Sequence, residues 1–288
     1  MSMLNKTEQS VTAEQQAALS RPSKGADLHY AISYRNVTRR FPERHGKGEM
    51  TAVSHVDLSI RHGEVVALIG PSGCGKSTLL NMGAGLYRPS EGEVFVEGRS
   101  VKGPSPNVAF MLQKDLLMPW RSIQRNVEMG MEIRGIPKKK RAEIALQLLE
   151  RCHLKGFGAH YPHQLSGGMR QRAALARTLA IDPQVLLMDE PFSALDAQTK
   201  MVLQQDLAKM LHDNGKTALL ITHDLAEAIA LSDRVFVMSE RPGTIIEIID
   251  IDMPMRDNPL ERRKLPKMND YVARLMELLK VGREEHLV

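Results

Sequence analysis

Val65-Val66-Ala67-Leu68-Ile69-Gly70-Pro71-Ser72-Gly73-Cys74-Gly75-Lys76-Ser77-Thr78-Leu79-Leu80 reads in one sweep as strand, loop and helix. The apolar run 65–69 does not alternate, which is the pattern of a strand covered on both faces. The glycines that follow allow backbone N–H groups to turn inward around phosphate oxygens. The start of the next helix adds the positive end of its dipole. The loop Gly70, Pro71, Ser72, Gly73, Cys74, Gly75, Lys76, Ser77 and Thr78 is therefore expected to hold the phosphates of a nucleotide. Lys76 is placed to reach the β- and γ-phosphates, and the Ser77 hydroxyl to ligate Mg²⁺. A tight structural turn is the competing reading, and the flanking strand and helix weigh against it.

Outward from this loop the same punctuation recurs. Short apolar runs stand at 185–188, 218–221 and 235–238, and helix-like stretches at 76–85, 169–180, 197–212 and 224–232 separate them. Strands alternating with helices predict an open α/β fold with ligands at the carboxyl ends of a parallel sheet; with the phosphate loop after its first strand, it resembles a P-loop NTPase core of the RecA-like kind. Before and beside it, 29–37, 53–60 and 93–97 read as exposed, alternating strands around turns such as Arg61-His62-Gly63-Glu64. They predict a small antiparallel β-subdomain. No buried strand is visible between Pro119 and Gly168, so 119–168 is expected to be a helical subdomain. The resulting division is a polar tail at 1–28 with at most a short helix through 13–19, an ATPase-type domain at 29–240, and an extension at 241–288. That extension contains Pro242, Gly243, Pro254, Pro259 and Pro266, and is expected to end in one amphipathic helix at 270–280.

Two further elements carry chemistry. Val185-Leu186-Leu187-Met188 delivers Asp189 and Glu190 to the ligand edge of the sheet. Mg²⁺ accepts few protein ligands and keeps several waters. Asp189 is accordingly assigned to the metal shell and Glu190 to orienting and deprotonating an attacking water. A capping acid pair before Pro191 is the bland alternative. Leu165-Ser166-Gly167-Gly168 opens a second anion-ready turn before Met169-Arg170-Gln171-Arg172. One nucleotide does not need two phosphate turns from the same chain. The Ser166, Gly167 and Gly168 turn is therefore expected to serve a nucleotide held by a second copy, in a homodimer that sandwiches ATP.

With these motifs together the chain, from about residue 31 to about 238, resembles the ATP-binding subunits of ABC transporters. Leu165-Ser166-Gly167-Gly168 with Gln171-Arg172 is similar to their signature motif, which contacts the γ-phosphate across the dimer. The resemblance implies that Gln113 is the glutamine touching Mg²⁺ and the attacking water, and sensing the membrane partner. It implies that His223 contacts the γ-phosphate, that Ser193-Ala194-Leu195-Asp196 crosses the dimer interface, and that Phe41 stacks on adenine. Catalytic roles thus fall on Glu190, His223, Lys76 and Gln113, and metal ligation on Ser77, Gln113 and Asp189. Gln113-Lys114-Asp115-Leu116-Leu117-Met118-Pro119-Trp120, with Arg241-Pro242-Gly243, looks like the branch importing nitrate, sulfonates and taurine. Implied with it are an integral membrane permease, an indirectly engaged periplasmic or extracellular solute-binding protein, and a peripheral location on the cytoplasmic face of the inner membrane. An exporter subunit or a soluble non-transport ABC protein is the alternative.

Composition narrows the rest. Apolar residues make up 42% and charged residues 25% of 288. The longest apolar runs fall far short of the roughly 20 residues that cross a bilayer. Net charge is +5, too small an excess to argue for nucleic acid. The run Lys138-Lys139-Lys140-Arg141 lacks interleaved aromatics for base stacking. It is expected to be the solvated first turn of a helix, opposing that helix's dipole. Cys74 and Cys152 lack metal-ligand spacing, and Cys74 reads as small filler.

Overall fold

A computed structural model describes residues 30–43 and 48–280. The expected tail at 1–28, with its short helix, lies outside the described residues. In the core sheet the strands run in the order β10 (Ile245–Asp250), β9 (Arg234–Met238), β3 (Val65–Ile69), β8 (Thr217–Ile221), β7 (Val185–Asp189) and β6 (Val108–Met111). All neighbours are parallel except β10, which runs antiparallel to β9. The unbroken apolar runs now have their cause. Val65, Ala67 and Ile69 face one core, shared with helices, while Val66 and Leu68 face another, shared with a second sheet. A strand wetted on neither face has no reason to alternate.

The second sheet is antiparallel, ordered β2 (Glu49–Arg61), β1 (Tyr30–Pro42), β4 (Glu91–Val96) and β5 (Arg99–Ser100). Its strands were expected to be exposed, and β1 corrects that expectation. Ala31, Ile32, Ser33 and Tyr34 are all buried in succession, because β1 is an inner strand and packs over the core sheet. Tyr34 is 1% exposed and donates its hydroxyl to Leu79 O at 2.9 Å; burial raises its pKa.

The helices are α1 (Lys76–Gly83), α2 (Ile123–Ile133), α3 (Lys138–Arg151), α4 (Gly167–Leu179), α5 (Ala197–Asp213), α6 (Leu225–Leu231), α7 (Pro259–Arg262) and α8 (Lys267–Leu278). α1 stops short of the expected residue 85. Gly85 takes a φ of 74°, and a Cβ there would lie 2.2 Å from Gly103 O, so the chain turns away. In α3 the expectation of a wholly solvated basic turn holds for Lys138–Lys140 and fails for Arg141. Its guanidinium lies 3.2 Å from Glu128, which is 1% exposed. Beyond 240, β10 and α7 were not anticipated, and the last helix starts at Lys267 rather than 270.

Candidate functional site

A cleft of about 520 Å³ opens where β3, β7 and β8 end, against the tip of the antiparallel sheet. The phosphate loop forms its floor. Gly75 caps α1 with φ 106°, and a Cβ on it would lie 2.4 Å from Val53 Cγ1. Only glycine allows the loop to press on β2 in that conformation. No side chain caps α1 and no acid stands in its first turn, so its N–H groups are left for an anion. Lys76 Nζ is held 2.8 Å from both Gly70 O and Pro71 O, curled over its own loop. Cys74 is buried, its Sγ 3.7 Å from Lys76 Nζ. Neither Cys74 nor Pro71 lines the cleft, whereas Gly70, Ser72, Gly73, Gly75, Lys76, Ser77 and Thr78 do.

Carboxylates stand opposite. Asp189 ends β7 at 7% exposure. Burial raises its pKa; a hydrogen bond from Ser77 works against the rise, Glu190 adds to it, and Lys76 opposes it. A buried carboxylate beside a hydroxyl and a second carboxylate is a hard-oxygen donor set that suits a cation such as Mg²⁺. Among the described residues no cluster of three or more His, Cys, Asp or Glu could hold a metal. A cation here would therefore rest on Asp189 with uncharged side-chain oxygens such as the Ser77 hydroxyl, and on the substrate's phosphates. Glu190 adopts φ 49°, its N–H donating to Ile221 O at 3.0 Å. Left-handed backbone on a non-glycine residue at a cleft marks a position held by its surroundings. Gln113 Nε2 donates to Glu190 Oε2 at 3.1 Å, and His223 Nδ1 stands 3.6 Å from the same oxygen. Three segments far apart in sequence thus converge on one carboxylate.

At the other end Phe41 faces the cleft from the end of β1. The Arg39 guanidinium lies 4.5 Å above its ring, and Tyr87 meets it edge-on at 5.6 Å. Met50, its cross-strand partner, and Arg241 also line this end. The sequence reading assigned neither to the site. In the sequence Arg241 carries only the branch resemblance of Arg241-Pro242-Gly243.

Ser166, Gly167 and Gly168 are not brought to this cleft. They form the exposed start of α4, where the Ser166 side chain accepts from Met169 N–H at 3.3 Å. The chain therefore carries two anion-ready helix starts that do not meet within one copy. The same helix reaches the site by another route: Gln171 Nε2 donates to Glu190 O at 3.3 Å and Pro191 O at 3.1 Å. It is buried and locks the acid pair in place, a role the sequence did not disclose.

A family profile described as ABC transporter matches residues 53–193. An uncharacterised ABC transporter ATP-binding protein of Methanocaldococcus jannaschii is 44% identical over 249 residues, covering 86% of this chain and 91% of that one. A taurine import ATP-binding protein of Yersinia pestis is 41% identical over 245 residues, covering 85% and 95%. Among solved structures, a dimeric ATP-binding cassette in a post-hydrolysis state bound to ADP and Pi superposes with a TM-score of 0.71 at 32% identity. It covers 76% of this chain and 98% of that one.

Proposed function

The chain belongs to the family of ABC transporter ATP-binding proteins, and from that premise we propose that it energises an importer for a small oxyanion or organosulfonate. It is an ATPase that works with Mg²⁺. The observation that carries the mechanism is the convergence of Gln113, Glu190 and His223 beside the Ser77–Asp189 pair.

The residues divide the work as follows. Backbone N–H groups of the phosphate loop and α1 cradle the β- and γ-phosphates, and Lys76 leaves its loop carbonyls to meet them. Ser77, Asp189 and Gln113 would hold Mg²⁺, which when bound would neutralise charge on the phosphate oxygens. Glu190 accepts a proton from the water it orients, in line with the γ-phosphate. Gln113 and His223 fix its carboxylate, and His223 donates to the γ-phosphate. Phe41, backed by Arg39, offers its free face to adenine.

Two copies complete two sites. The Ser166–Gly168 turn of each copy meets the γ-phosphate bound by the other, a reading supported by the separation of the two turns within one copy. The relative solved as a dimer supports this arrangement. Closure must be stabilised more by ATP than by ADP, or nothing is driven. α4 is tied to the segment after Gln113: Arg170 Nε lies 3.0 Å from Asp115 Oδ2, and Arg177 donates to Asp115 O at 2.6 Å and Leu116 O at 2.8 Å. Beside that segment Leu116 is 54% and Trp120 73% exposed. This apolar surface is the proposed seat of the permease, on the cytoplasmic face of the inner membrane. No helix among the described residues is long and apolar enough to cross a membrane.

The solute class rests on the taurine-import relative and on the Pro119-Trp120 and Arg241-Pro242-Gly243 traits. The permease that co-purifies, together with loss of nitrate, taurine or alkanesulfonate uptake in a deletion strain, tests it. Unchanged uptake of every such solute would sink the proposed class. Co-purification with ribosomes would instead favour a non-transport role.

A further inference from the structure

One side chain that the proposed chemistry leaves unused ties the segment Ser193-Ala194-Leu195-Asp196 to the segment that presents His223. Lys200 stands in the first turn of α5, its N–H donating to Asp196 O at 2.8 Å. Its ammonium crosses to the start of α6, 2.8 Å from Asp224 Oδ2 and 2.7 Å from Glu227 Oε2. Asp224 follows His223 directly and caps α6, accepting from Glu227 N–H at 3.0 Å. Glu227 is 2% exposed and also accepts from Gln204 Nε2 at 2.8 Å, while Gln204 Oε1 accepts from Arg263 at 2.7 Å. A carboxylate so deeply buried is costly unless a cation and hydrogen bonds satisfy it. This one therefore holds Lys200 firmly.

The far end of α6 is equally fixed. The Arg262 guanidinium, 1% exposed, donates to Ala230 O and Ser232 O and to Ile251 O and Met253 O. The His223 ring, in contrast, is 72% exposed, and its contact with Glu190 is long at 3.6 Å. Few side-chain contacts hold the ring itself, whereas the side chain of Asp224, the next residue, is held by Lys200.

We infer that Lys200 is a positioning residue that converts movement of the 193–196 segment, on contact with a second copy, into the placement of His223 against Glu190. The inference rests on the dimeric reading proposed above and adds to it a route between the interface and the hydrolytic centre. Because the link is a two-pronged ion pair made by one flexible stem, arginine has the charge and reach to replace it, and methionine does not.

The test is a kinetic cycle on the full chain with MgATP. Lys200→Met is expected to lower kcat about ten-fold, equivalent to about 1.4 kcal/mol of barrier. Its dissociation constant for a fluorescent N-methylanthraniloyl ATP should move by less than about two-fold, because the phosphate loop is untouched. Lys200→Arg should return kcat to within about three-fold of the parent. In a His223→Ala background, Lys200→Met should add no further loss, since a residue acting through His223 has nothing left to position. If Lys200→Met does not fold, Lys200→Met with Glu227→Gln removes the lysine without stranding the buried carboxylate, and the same cycle is read there. A parent-like kcat for Lys200→Met beside a slow His223→Ala overturns the inference alone. So does an equal loss in both backgrounds. An unimpaired His223→Ala overturns the site reading itself, and the inference with it.

Discussion

At the scale of single residues the cleft concentrates its demands on a few atoms. Glu190 is held by Gln113 and, through its backbone, by Gln171, with the His223 ring 3.6 Å from its carboxylate. Replacing its carboxylate with an amide leaves the shape and removes the base. Glu190→Gln should lose on the order of 10²–10³ in kcat while retaining ATP binding, as expected for a general base. A phosphate-release assay beside an equilibrium binding titration checks this, and near-parent turnover would refute the assignment. Gly243, the last residue of Arg241-Pro242-Gly243, is a second pressure point. A Cβ there would stand 1.9 Å from Cys74 O, so the chain after β9 lies directly against the phosphate loop. Gly243→Ala should cost on the order of 2 kcal/mol by overpacking, and weaken ATP binding as the loop shifts. Thermal melts with and without nucleotide measure both. Lys76, Ser77, Asp189 and Glu190 were legible because their chemistry is local to a strand–loop–helix or strand-end pattern. Met50 and Arg241 were not. Their place beside Phe41 depends on a β1–β2 register broken by several irregularities, and on a loop returning from residue 241 to Val53.

Among elements, α4 links the two halves of the chemistry. Its exposed start is proposed to serve the opposing nucleotide, while Arg170, Gln171 and Arg177 along it hold the acid pair and the segment after Gln113. Movement of the 119–168 region therefore has a short mechanical path to Glu190. The segments after β9 brace α6. Arg262→Met leaves four carbonyls without their shared donor and should destabilise the fold by about 3 kcal/mol, read by chemical denaturation. A stability change under about 0.5 kcal/mol would show the brace to be dispensable. At the end of α3, burial pushes the Cys152 thiol up to about 12, with Asp206 reinforcing the shift. At pH 8 its thiolate fraction is on the order of 10⁻⁴, so iodoacetamide should label Cys152 only when the protein unfolds. Rapid labelling of native protein, seen by mass spectrometry, would contradict that burial. Elements with a one-sided or doubly covered apolar pattern were readable in the sequence. β10 was not, because it sits among prolines and is only partly buried, and its strand character comes from pairing with β9.

For the whole molecule, the decisive fact is a separation: one copy carries two anion-ready helix starts that do not share a cleft. The doubly covered parallel sheet fixes the cleft at its strand ends, and the helical region carries the second turn away from it. The sequence foretold this division through its motif order, while the contacts that bind the halves, such as Arg170 to Asp115, needed the fold. Sedimentation of Glu190→Gln with saturating MgATP tests the central claim most directly. A dimer is expected to form with ATP, not with ADP, and to revert to monomer when Ser166→Arg is added. A Glu190→Gln protein that stays monomeric at saturating ATP, from a parent that hydrolyses ATP as a monomer at full rate, would contradict it.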